Sequence, residues 1–122
     1  MKKILIVEDD KKIVAALSVR LKAAGYEAVA AFDAVMAGSV AAKERPDLVL
    51  LDISMPGGDG LLVAERLRKL PVPVNIPMIF LTASKKPGLR EQAMALGAAA
   101  FFEKPYEADQ LLGAIKKALG ES

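Results

Sequence analysis

The sequence predicts a doubly wound parallel α/β domain, and three observations carry that expectation. Short apolar runs at residues 4–7, 48–51 and 78–82 lack polar alternation, the pattern of strands buried on both faces. Stretches with helical character separate these runs, so that β and α alternate five times. The connections are short, which implies parallel strands joined by crossover helices that cover both sides of one sheet.

Each element follows in order. Residues 4–7 form the first strand and stop abruptly at Glu8, Asp9 and Asp10. Asp10 caps a helix running to about residue 24, with Ile13, Val14, Leu17 and Leu21 on one face and Gly25 as its stop. Glu27–Ala31 is a weaker second strand. The Ala-rich helix Ala34–Glu44 is stopped by Pro46. Residues 47–52 are the third strand, which also finishes on an acid, Asp52. Residues 55–60 are a loop by composition, 61–70 a helix, and 71–77 a proline-punctuated connector. Met78–Thr82 is the fourth strand and 83–88 a loop. Residues 89–96 are a helix closed by Gly97, 99–103 the last strand and 107–119 the last helix.

The chain of 122 residues fits a single domain, expected to span 1–122. Hydrophobic residues at 53% and charged residues at 26% suit a water-soluble globular protein. A net charge of +2 gives no electrostatic case for nucleic-acid or membrane binding. The absence of Cys excludes disulfides and thiol chemistry and points to a cytoplasmic setting. The absence of His removes the usual general base and zinc ligand. Glu8 to Asp10 break the apolar run after Lys2 and Lys3, so it is no signal peptide, and no stretch approaches the ~20 residues that span a bilayer.

In a doubly wound sheet the loops at the carboxyl ends of the strands share one edge, where ligands bind. Glu8-Asp9-Asp10, Asp52, Thr82 and Lys104 all fall at such ends. Taken singly each has a plain explanation: Asp10 caps a helix, Asp52 closes a strand, Thr82 is a β-former, Lys104 is a surface charge. Together they form a reactive set. Clustered carboxylates repel one another unless a hard divalent cation such as Mg²⁺ joins them. One carboxylate can then attack phosphorus, while Lys and Thr bind the remaining oxygens of the transferred group.

In this order and spacing the residues resemble the receiver domain of bacterial two-component response regulators, across residues 3–119. The opening strand with Glu8-Asp9-Asp10, the strand from Pro46 to Asp52, Met55-Pro56 with Gly60, Thr82-Ala83 and Lys104-Pro105 carry the resemblance. It implies a flavodoxin-like sheet of five strands in order 2-1-3-4-5 with five helices. It implies Asp52 as phosphoacceptor, Asp9 as direct Mg²⁺ ligand, Glu8 acting through water and the Ser54 carbonyl completing the metal shell. Thr82 is then the switch hydroxyl, Lys104 the phosphate-binding lysine, and the bond before Pro105 is cis. Phe101 stands at the position of a switch aromatic that swings inward; many members have Tyr there, and Phe brings no hydroxyl. Ser54 and Ser84 occupy positions that tune acyl-phosphate hydrolysis.

The resemblance further implies a cytoplasmic signalling switch whose only catalysis is its own phosphoryl transfer and slow autodephosphorylation. A histidine kinase or phosphotransfer protein supplies the phosphoryl group, and a downstream protein or effector domain reads the result. The chain itself touches neither nucleic acid nor membrane, and it is a monomer or a phosphorylation-dependent dimer. The alternative is a receiver fragment of a larger regulator or hybrid kinase. A haloacid-dehalogenase-type hydrolase fits poorly, because Ser54 stands where its second Asp belongs. A binding-only flavodoxin-like module fits poorly too, because acids replace a phosphate-cradling loop after strand one.

Overall fold

The structure, a computed structural model, describes residues 1–53, 60–69 and 76–121. Five strands, β1 (Lys3–Val7), β2 (Glu27–Ala31), β3 (Leu48–Asp52), β4 (Met78–Thr82) and β5 (Ala100–Glu103), form one parallel sheet in order β2-β1-β3-β4-β5. Among the described residues five helices alternate with them: α1 (Lys11–Ala23), α2 (Ala34–Glu44), α3 (Gly60–Arg68), α4 (Leu89–Ala95) and α5 (Ala108–Ala118). The expected fold class and strand order are what is observed. Of the expected loop and connector, Met55-Pro56 and residues 71–75 lie outside the described residues.

The continuous apolar runs follow from burial on both faces. Successive side chains point to opposite sides of a strand. Ile4, Ile6, Leu48, Leu50, Ile79 and Leu81 therefore enter one core with Val14, Leu17 and Leu21 of α1 and Leu111 and Ile115 of α5. Leu5, Val7, Val49, Leu51, Met78, Phe80 and Phe101 enter the other, under α2, α3 and α4. Leu50 and Ile79 are wholly buried.

Local chemistry sets the element ends. The Asp10 carboxylate accepts from the Lys12 N–H at 2.9 Å, and the Asp33 carboxylate accepts from the Met36 N–H at 2.8 Å, so each satisfies an orphan donor of a helix start. Gly25 (φ 93°) and Gly97 (φ 83°) take left-handed conformations as the chain leaves α1 and α4. Arg68 reaches from α3 to the Ile76 carbonyl at 2.7 Å and the Gly97 carbonyl at 3.3 Å, tying the entries of β4 and β5 together. At the edge of the sheet remote from the acids, the Tyr26 hydroxyl donates to Glu121 Oε1 at 2.6 Å.

Two outcomes follow from this packing. Ile79→Ala should destabilise the protein by about 2–5 kcal/mol in urea denaturation, because a fully buried position leaves a cavity that its neighbours cannot fill. Asp33→Ala should cost only about 1 kcal/mol in the same assay. Burial, with Glu121 adding to it, pushes the Tyr26 phenol up to about 12. A raised folded-state value favours the protonated form, so this contribution is complete below the ordinary tyrosine range near ~10 and is lost as pH climbs through about 12. Ultraviolet phenolate titration should show Glu121→Gln bringing Tyr26 down.

Candidate functional site

Four of the five strands end at one edge with a polar side chain or lead into one. The register pairs Val7 with Leu51, Asp52 with Leu81 and Thr82 with Glu103, which sets Glu8, Asp52, Thr82 and Lys104 side by side. The site straddles β1 and β3, where the winding of the sheet reverses and a crevice opens. Lys104 is fastened to its neighbour strand by its own N–H, which donates to the Thr82 carbonyl at 2.7 Å.

The side chains converge closely. One carboxylate oxygen from each of Glu8, Asp9 and Asp52 lies within 4.8 Å of the other two. Lys104 Nζ donates to Glu8 Oε1 at 2.9 Å and to Asp52 Oδ2 at 3.1 Å. Glu8 is 2% exposed, Asp52 4% and Thr82 0%, whereas Asp9 is open to solvent. Asp10 turns away to cap α1, and its N–H donates to Glu8 Oε2 at 3.2 Å. Thr82 Oγ1 accepts from the Ser84 N–H at 2.9 Å, which leaves the hydroxyl proton available to another acceptor. Ser54 lies outside the described residues.

The electrostatics follow from one ammonium facing three carboxylates. Burial pushes the Glu8 carboxyl up to about 7; Asp9 and Asp52 add to the rise, while Lys104 and the Asp10 N–H oppose it. Burial pulls Lys104 down, but its bonds to Glu8 and Asp52 and their charges outweigh that, so its net movement is upward. The Lys104 rise expresses the negative charge around it, whereas the Glu8 rise is led by burial and the neighbouring acids only add to it. Three hard oxygen donors that converge from two strand ends fit Mg²⁺, with water filling the remainder of its shell. They suit zinc less well, having neither nitrogen nor sulfur to offer.

Phe101 sits at the floor of the α4–β5 side, 7% exposed, with the Arg90 guanidinium 5.3 Å from its ring centroid. The Lys104–Pro105 peptide bond is cis, as the resemblance implied. Arg90 and Glu91 of α4 and Asp109, Gln110, Lys116 and Lys117 of α5 are exposed. Sequence reasoning missed two contacts here, the Arg90 cover on Phe101 and the Lys85–Glu103 ion pair at 3.0 Å. Neither has a local signal, since each joins residues more than ten positions apart.

Comparison with known proteins gives a consistent picture. The family model described as the response regulator receiver domain matches residues 4–116. The chain is 37% identical over 117 residues to sporulation initiation phosphotransferase F of Bacillus subtilis, covering 96% of this chain and 93% of that one. It is 36% identical over 118 residues to the phosphate regulon transcriptional regulatory protein PhoB of Pseudomonas aeruginosa, covering 97% of this chain but about half, 52%, of that protein. Its fold is similar to a CheY-like receiver domain protein from Methanospirillum hungatei, with a TM-score of 0.90, 30% identity, and 98% and 94% of the two chains covered.

Removing Lys104 takes away the strongest influence holding Glu8 down. Lys104→Met should therefore raise the Glu8 carboxyl beyond about 7, and Asp52→Asn should lower it. Carboxyl carbon NMR titration in metal-free buffer reads both directions.

Proposed function

The chain belongs to the response regulator receiver domain family of two-component signalling, and on that premise we propose that Asp52 is its phosphoacceptor. The single observation that carries this assignment is the Lys104 ammonium bridging Glu8 and Asp52 at 2.9 and 3.1 Å, beside a carboxylate trio within 4.8 Å. Asp52 ends a fully buried strand, so its carboxylate is held in place while its neighbours are arranged for charge.

The chemistry then balances simply. An Asp52 carboxylate oxygen attacks phosphorus and forms an acyl phosphate. The bond from phosphorus to the donor breaks, and the donor departs with that electron pair and takes up a proton if it is an imidazole. A carboxylate nucleophile has no proton to lose, so the lack of His in this chain costs the reaction nothing. The Lys104 ammonium, already 3.1 Å from Asp52, binds an incoming phosphoryl oxygen with little movement. In this reading the Thr82 hydroxyl moves towards the phosphoryl group and donates its proton to a second oxygen. Glu8, Asp9 and Asp52 are the side chains that would hold Mg²⁺, which when bound neutralises charge on the phosphoryl oxygens.

We read the protein as a switch whose donor is a histidine kinase or phosphotransfer protein and whose output is a protein partner or effector domain. Sporulation initiation phosphotransferase F, which this chain matches over nearly its whole length, favours the reading of residues 1–122 as one receiver unit. PhoB, only half spanned, keeps the fragment of a larger regulator as the alternative. Among the described residues no helix is long and apolar enough to cross a membrane, which is compatible with a cytoplasmic site of action.

Acetyl phosphate with Mg²⁺ should add a single hydroxylamine-labile phosphoryl group, read by intact mass. Asp52→Asn should abolish it, and an equal adduct on that variant would end the assignment. Lys104→Ala should slow its formation by about tenfold or more, the loss of one charge-assisted contact. Calorimetry should show a Mg²⁺ signal for the native chain that Asp9→Asn removes. In metal-free buffer Asp9→Asn should melt slightly higher than the native chain, since it relieves repulsion, and Mg²⁺ should reverse that order.

A further inference from the structure

We draw no further inference here: the strongest candidate, the groove between α1 and α5 that Ile13, Leu17, Tyr106 and Leu112 line beside Arg20 and Asp109, carries nothing because nothing in the structure shows what covers it.

Discussion

Everything at the functional edge depends on an imbalance of charge that the backbone cannot relieve. Three carboxylates face one ammonium within a few ångströms, and two of the three are almost fully buried. Exposed acids would rotate apart and let water screen them. Glu8 and Asp52 cannot, because each continues or closes a strand whose preceding residues are locked in the core on both sides. The remaining remedies are a proton, which Glu8 accepts at an unusually high pH, or a cation from outside. Three converging carboxylates with this excess of negative charge are suited to a hard divalent cation.

The sheet makes such strain tolerable. Side chains on strand ends are placed by register rather than by loop conformation, and supporting contacts from rigid elements hold a reactive group more tightly than a flexible loop does. Val7, Leu51 and Leu81, which precede Glu8, Asp52 and Thr82, are at most 2% exposed. A hydrophobic core of that density holds the strand ends together against repulsion worth only a few kcal/mol at an intermediate dielectric. Stability on the two faces is thus the source of the chemistry at the edge.

The strands buried on both faces were legible because burial leaves a compositional mark, as in residues 48–51 and 78–82. β2 was faint because three of its five residues are Ala and it lies at the sheet edge, half-buried, where sequence need not be strongly apolar. The onset of β5 moved one residue, from 99 to 100, within the fraying expected of any element end. At the site, residue types and strand ends pointed to Asp52 and the first acidic group, and the resemblance added roles. Nothing local marked Glu8 as more buried than Asp9. That difference comes from the side of the strand end on which each falls, which only the packed fold decides. Long-range contacts such as Tyr26 with Glu121 are invisible for the same reason.

A chain of weak links leads outward from the rim. Thr82 Oγ1 accepts from the Ser84 N–H, and Ser84 Oγ accepts from the Lys86 N–H at 3.2 Å, so the loop before α4 is coupled to the buried Thr82 hydroxyl. Its other tie, Lys85 to Glu103, joins two exposed side chains and adds little restraint. Phe101, by contrast, is held by dense apolar packing and a covering cation. Of the two routes from the rim to α4, one is soft and polar and the other stiff and apolar. Moving the loop breaks an exposed ion pair, whereas moving the ring must open the core. On physical grounds the loop before α4 is therefore less restrained than the ring on β5.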